Sequence, residues 1–206
     1  MEDFTRIAVL PECIYLFNCN EELTSNTLDL LKKEEFTDTS LVNHKTVNVN
    51  LNKDLKYEKL YKWFDECILK VHNSYSFDCE KVSITQSWGC KYIYGGHQHF
   101  HNHPNSLMSG VFFLTDSDTP TIFTKDTMWK DERCIRVSTR ETDTKYRIYH
   151  VHPPKSGQLI LFPSGMNHLV PKHEKIEDRY TLSFNTFPSG KCGKDKDLMG
   201  VTIQIL

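Results

Sequence analysis

The chain has 206 residues, enough for one well-buried domain and short for two. Its 25 Lys and Arg nearly balance its 27 Asp and Glu, and no basic tract is interleaved with aromatic residues, so nucleic acid is not indicated as a partner. Residues 1–6 carry no basic stretch leading into an apolar core, and no apolar run approaches the roughly 20 residues of a membrane helix; both features point to a cytoplasmic protein with no membrane partner.

In chain order, residues 7–10 and 13–17 read as short strands broken at Pro11. Residues 21–33 read as a helix with Leu23, Leu28, Leu30 and Leu31 as its apolar stripe. Residues 42–51 alternate weakly and read as extended. Residues 55–75 form a stronger amphipathic helix, with Leu60, Phe64, Ile68 and Val71 at three- to four-residue spacing and charges opposite. From Lys81 onward the pattern turns to strands, at 82–88, 91–94, 109–115, 120–124, 146–151, 157–162, 180–185 and 201–206. Gly, Pro and Asp punctuate them. Residues 125–145 are charged and poor in apolar side chains, which suggests a surface excursion or lid over a site. The expected architecture is mainly β with N-terminal helices: a single domain over 1–206, with a strand and helix scaffold at 1–80 and an antiparallel sandwich or jelly roll at 81–206.

Seven cysteines, at 13, 19, 67, 79, 90, 134 and 192, include no Cys-x-x-Cys, and free thiols are expected. Histidine is more informative. Of ten in the chain, four alternate from His97 to His103. On an extended segment they share one face, with neighbours about 6.6 Å apart at Cα. One His-x-His pair can converge on an ion with bonds of about 2.1 Å, whereas four in a row cannot. The third ligand then comes from a distant segment, and His168, after a strand and the turn Pro163-Ser-Gly-Met-Asn, is the best candidate. Three imidazoles suit iron, zinc, copper or nickel and leave positions open for chemistry. The pattern alone is cheap, since His150-Val-His152 repeats it on another segment.

Eleven residues after His168 stands Arg179. Alternation puts Arg179, Thr181, Ser183 and Asn185 on one strand face and Tyr180, Leu182 and Phe184 on the other. A guanidinium on such a face can hold a carboxylate in a bidentate fork, with a threonine hydroxyl adding a third bond. The same alternation also fits an edge strand with its polar face in water.

A histidine followed at this distance by Arg-x-Thr resembles the distal half of the 2-oxoglutarate/Fe(II) oxygenase signature. More narrowly, three blocks are similar to a group of oxygenases common in phages and marine bacteria, within the prolyl-hydroxylase-like superfamily. They are Ser87-Trp88, His101-Asn-His-Pro-Asn-Ser-Leu-Met-Ser-Gly-Val-Phe-Phe-Leu114 and Leu161-Phe-Pro-Ser-Gly-Met-Asn-His168. The likeness runs from Ser87 to Phe187; the first 80 residues share only a loose layout. It implies a double-stranded β-helix (cupin-like jelly roll) that binds Fe(II), 2-oxoglutarate and O2. Such an enzyme hydroxylates a substrate while 2-oxoglutarate is decarboxylated to succinate. The cytoplasmic reading becomes the host cytoplasm if the chain is phage-encoded, and the oligomeric state, monomer or homodimer, is left open by the sequence.

By the same likeness His101 and His168 match metal ligands, and Arg179 with Thr181 matches the anchor for the far carboxylate of 2-oxoglutarate. This chain departs from the broad His-x-Asp/Glu pattern by placing His103 where the carboxylate stands. His103 is read as the third ligand, with Asp116, Asp118 or a water as the rival. Tyr92 and Asn185 are expected beside the cosubstrate. Gln98, His99, Asn105 and, less directly, Tyr94 are placed at the substrate rim. A zinc hydrolase or lyase, a cupin dioxygenase of another kind and a non-catalytic jelly-roll binding module remain as alternatives.

Overall fold

The computed structural model describes residues 13–37, 43–75, 77–124, 149–195 and 199–205. Strand β1 (Tyr15–Asn18) leads into helix α1 (Glu21–Leu31), which Asn20 caps by accepting a hydrogen bond from the Leu23 amide at 2.8 Å. Two-residue strand β2 (His44–Lys45) and a pair of 3-10 turns precede helix α2 (Glu58–Tyr75). The strands that follow are β3 (Cys79–Tyr92), β4 (Gln98–His101), β5 (Met108–Phe113) and β6 (Thr121–Thr124). After them come β7 (Tyr149–His152), β8 (Gln158–Pro163), β9 (Asn167–Val170), β10 (Arg179–Cys192) and β11 (Val201–Ile203).

These strands form two antiparallel sheets among the described residues. The larger runs β1-β8-β5-β10-β3-β2, with β11 paired to the far end of β10; the smaller runs β4-β9-β6-β7. No described helix is long and apolar enough to cross a membrane. The protein is therefore mostly β with two helices, as the strand-rich pattern after Lys81 implies.

Helices and sheets form layers because each face of the larger sheet has its own apolar or polar set. On the helical side, Leu60, Phe64, Ile68 and Val71 of α2 are all buried, and the Phe64 ring lies 4.8 Å from Phe184 and 5.5 Å from Phe112. Tyr180, Leu182 and Phe184, one alternating set of β10, belong to this core. Between the two sheets a smaller core gathers Phe113, Phe123, Ile160, Phe162 and Met166. Burying aromatic and branched side chains on both sides of β5, β8 and β10 is the main stabilising term, at about 1.5–3 kcal/mol for each large side chain.

Several expectations are refined here. The buried stripe of α1 is Thr24, Thr27 and Leu31, while Leu23, Leu28 and Leu30 are only partly covered. Both threonine hydroxyls bond back to carbonyls one turn earlier (Thr24 to Asn20 at 2.8 Å, Thr27 to Leu23 at 2.7 Å), so they bury methyl groups without leaving polar atoms unsatisfied. The helix expected from residue 55 starts properly at Glu58, after a 3-10 turn. The expected break at Gly89 is absent, and β3 runs through it unbroken. A Cβ at Gly89 would run into the Leu31 and Thr46 side chains, so glycine there permits close packing of α1 rather than a turn. The strand expected at 7–10 and the excursion at 125–145 lie outside the described residues.

Candidate metal centre

Direct cross-strand neighbours point to the same side of a sheet, so the register of the larger sheet writes out the floor of its cavity. Tyr92 pairs with Arg179; Lys45, Cys90, Thr181 and Phe113 form the next row; Trp88, Ser183 and Val111 the next; Gln86, Asn185 and Ser109 the fourth. The polar face of β10 thus turns inward, away from the helices. The smaller sheet roofs this floor with Gln98, His101, His168 and Val170, and the space between is a cavity of about 310 Å³.

His101 and His168 are directly paired across β4 and β9. His103 lies just past β4, where its amide donates to the Ser164 carbonyl at 2.9 Å. The three rings offer nitrogens that all lie within 4.8 Å of one another, and no carboxylate or thiol joins this cluster among the described residues. The ring orientations are fixed from behind. His101 Nδ1 lies 2.7 Å from the His99 carbonyl and His168 Nδ1 3.1 Å from the Met166 carbonyl. A carbonyl can only accept, so both rings carry their proton on Nδ1 and turn the Nε2 lone pair to the cluster. His103 Nε2 is 3.3 Å from His168 Nε2. Two nitrogens bound about 2.1 Å from one ion at near-right angles stand roughly 3 Å apart, so this spacing fits a shared cation.

Burial pushes the His168 imidazole down to about 3 and His103 down to about 4, with the neighbouring His101 ring adding to both, and it lowers His101 as well. All three rings are therefore neutral near pH 7, the form that binds a metal. Asp116 and Asp118 are engaged elsewhere: Asp116 accepts from the Ser156 amide at 2.8 Å, and Asp118 pairs with Lys175. The residues present fit a three-imidazole cation site.

Arg179 is fully buried. Its guanidinium stacks 4.6 Å above Tyr92 and 5.5 Å from Phe113, and its Nη2 makes a long 3.5 Å bond to the Thr121 hydroxyl. Its Nε and Nη1 have no hydrogen-bond partner among the described residues. Desolvation lowers its affinity for its proton, partly offset by the Tyr92 hydroxyl. A buried cation with unmet donors facing a cavity costs stability on its own and is completed by an anion. Thr181, Tyr92 and Asn185 also line the cavity, and the Tyr92 hydroxyl accepts from Asn43 at 3.2 Å.

Of the residues expected at the rim, Gln98 lines the cavity, but His99, Asn105 and Tyr94 do not. The pairing of β4 with β9 slips between Gln98 and His101. That irregularity breaks the alternation that would put four histidines on one face. His99 is exposed, 3.2 Å from His97 through their Nε2 atoms. Asn105 sits at φ 60° in the turn after His103, a left-handed position that asparagine tolerates. Tyr94 is 70% exposed in the loop before Gly95.

Other contributors escaped the sequence. Lys45 and Gln86 enter through long-range pairing. The Ser109 and Ser164 hydroxyls lie 2.8 Å apart, with Ser106 Oγ 2.7 Å from Ser164 and Asn185 Oδ1 3.0 Å from Ser109, so the two protons of the central pair are shared along the row. This hydroxyl chain holds the segment whose Ser164 carbonyl fixes His103. Ser106, Ser109 and Ser164 all stand in the resembling blocks, which was the signal available.

The chain is similar to known proteins in part of its sequence and in its fold. The model of a family described as "Putative 2OG-Fe(II) oxygenase" matches residues 86–185. No curated protein matches the chain. Among solved structures, HygX from Streptomyces hygroscopicus, with nickel, 2-oxoglutarate and hygromycin B bound, is similar at 11% identity and a TM-score of 0.63, over 86% of this chain and 84% of that one. A Pseudomonas putida prolyl-4-hydroxylase is similar at 14% identity and 0.62, over 87% and 94%. The non-heme α-ketoglutarate-dependent epimerase SnoN of nogalamycin biosynthesis is similar at 9% and 0.66, over 95% and 89%.

Proposed function

We propose that this chain is a 2-oxoglutarate-dependent Fe(II) oxygenase, an oxidoreductase using Fe(II), 2-oxoglutarate and O2, in which His101, His103 and His168 hold the iron and Arg179 anchors the cosubstrate; the family match over residues 86–185 and the likeness to solved 2-oxoglutarate enzymes support this reading. The carrying observation is the pairing of a neutral three-histidine cluster with a buried, donor-unsatisfied arginine facing one cavity. We read the two facing sheets as a double-stranded β-helix and the chain as one domain, with residues 1–80 buttressing the helical side. Its motif blocks ally it with oxygenases of phages and marine bacteria, working in the cytoplasm.

Bound iron with 2-oxoglutarate and O2 supplies the oxidising power, releasing succinate and CO2 and hydroxylating a substrate C–H bond. The chain's own work is to orient and to shield. The carbonyls of His99 and Met166 keep two imidazoles in the metal-binding tautomer. Arg179 receives the far carboxylate in its fork, with Thr181 in the adjacent row and Tyr92 stacked behind the guanidinium. Phe123 and Phe162, 5.7 and 4.9 Å from the His168 ring, exclude water from the inner side. His103 lacks the negative charge of the usual carboxylate, so the three ligands would leave a divalent cation its full charge, of which the near carboxylate of the cosubstrate would offset one unit.

A zinc hydrolase could use the same three histidines with an activated water, but it leaves Arg179 without a task. The test is conversion of 2-oxoglutarate to succinate by anaerobically Fe(II)-loaded protein after admission of O2, with no added substrate. Slow turnover that disappears in His168→Ala is expected. A protein that binds Fe(II) stoichiometrically yet neither binds nor consumes 2-oxoglutarate would overturn the assignment.

A further inference from the structure

Lys45 stands on β2, the edge strand of the larger sheet. Its Cα pairs with Cys90, which pairs with Thr181, so the lysine shares their face and lines the same cavity as the histidines. Strands are about 4.8 Å apart, which puts its Cα roughly 10 Å across the floor from β10. A lysine side chain spans much of the distance back, and Lys45, exposed while lining the cavity, can keep its ammonium in water at the mouth.

Among the described residues the ammonium makes no ion pair or hydrogen bond, and no Asp or Glu lines the cavity. Elsewhere lysines find acidic partners: Lys91, on the opposite face of the sheet, holds Asp178 at 3.1 Å, and Lys175 holds Asp118 at 2.5 Å. The charge inventory is therefore one-sided. With three neutral histidine ligands, the cosubstrate dianion spends one carboxylate on Arg179 and the other on a divalent ion, so the site keeps a net positive charge. Lys45 adds a further cation in a cleft whose low-dielectric walls strengthen its field.

Resting on the function proposed above, we propose that Lys45 is the anion-recognising residue of the substrate subsite, and that the substrate presents a carboxylate or phosphate group at the mouth of the cavity. Gln86 and Gln98, on the two sheets that flank it, are the neutral hydrogen-bonding partners. Trp88, between Lys45's row and Gln86's row, supplies a flat apolar wall. The reactive C–H bond of such a substrate lies between this anchor and the histidines.

The experiment uses full-length protein loaded with Ni(II), which binds without turnover, and saturated with 2-oxoglutarate. Inorganic phosphate is the probe, titrated at constant ionic strength by calorimetry and by intrinsic tryptophan fluorescence. Wild type is expected to bind phosphate; Lys45→Gln should bind it at least tenfold more weakly, and Lys45→Arg should recover most of the affinity. The affinity for 2-oxoglutarate should stay within twofold in both variants. Absence of phosphate binding to wild type, or equal binding to Lys45→Gln, overturns the inference. So does a parallel fall in 2-oxoglutarate affinity, which would put Lys45 in the cosubstrate site. Failure of Ni(II)-loaded wild type to bind 2-oxoglutarate is read before phosphate is added; it strikes the parent function and removes this inference with it.

Discussion

Replacing Arg179 by methionine separates the cost of a buried cation from its use. In the ligand-free protein the guanidinium is fully buried with two unmet donor nitrogens. Methionine of similar reach restores an apolar contact to Tyr92 and Phe113, so the ligand-free variant should keep or gain stability, because desolvating an unpaired charge is penalised by several kcal/mol. With cosubstrate the sign reverses. A bidentate arginine–carboxylate pair comprises two charge-assisted hydrogen bonds, each about 1.5–3 kcal/mol. Losing them should weaken 2-oxoglutarate by roughly a hundredfold or more, while Ni(II) affinity stays unchanged. Calorimetric titration of 2-oxoglutarate into anaerobic, metal-loaded wild type and Arg179→Met measures the difference directly. Thermal unfolding with excess cosubstrate gives an independent reading: saturation at a thousandfold over Kd stabilises wild type by about 4 kcal/mol, and the variant should gain far less. If Arg179→Met binds 2-oxoglutarate within threefold of wild type, the anchoring role is wrong. Arg179→Lys should not rescue, since an ammonium cannot supply the fork.

Three further outcomes follow from the same geometry. His103→Ala should lower metal affinity by well over tenfold, whereas Asp116→Ala should leave it unchanged; metal titration with a competing chelator distinguishes His103 from a carboxylate as third ligand. The metal-free protein should lose stability on acidification. His168 titrates near 6.5 unfolded and is pushed down to about 3 when folded, so its neutral-ring contribution is present above pH 6.5 and lost as pH falls below it. At pH 5 that amounts to about 2 kcal/mol, and urea unfolding at pH 7 and pH 5 should show a drop that His168→Gln reduces. Gly110→Ala should destabilise by about 1–3 kcal/mol, because a Cβ there would overlap the Phe184 ring at the centre of the helical-side core. A chemical denaturation midpoint equal to wild type would mean that Phe184 can move aside.

What the sequence disclosed depended on the range of the interaction. Helix α2 was legible because its 3.6-residue apolar period is local, and β10 because strict alternation sorted Arg179, Thr181 and Ser183 from Tyr180, Leu182 and Phe184. The three histidines could be named from spacing and from likeness to a family, and the structure brings their nitrogens together. Their common face could not be read as a simple alternation, since the slip between Gln98 and His101 sends His99 outward. Strand β9 was hidden because four residues after a tight turn carry too little period to register. Lys45 was hidden for a stronger reason: β2 has only two residues, and its place beside Cys90 is a pairing across more than forty positions that no local pattern encodes. Thr24 and Thr27 read as polar until their hydroxyls are seen returning to the helix backbone.

The account stands most directly on the location of the ion. Crystals of the protein grown anaerobically with Fe(II) and 2-oxoglutarate, measured at the iron absorption edge, would give the anomalous peak position without reference to any activity. The account predicts one peak about 2.2 Å from the Nε2 atoms of His101, His103 and His168, with the far carboxylate of 2-oxoglutarate against Arg179. A peak held by His101 and His168 with a carboxylate in place of His103, or one sited away from this cluster, would contradict it.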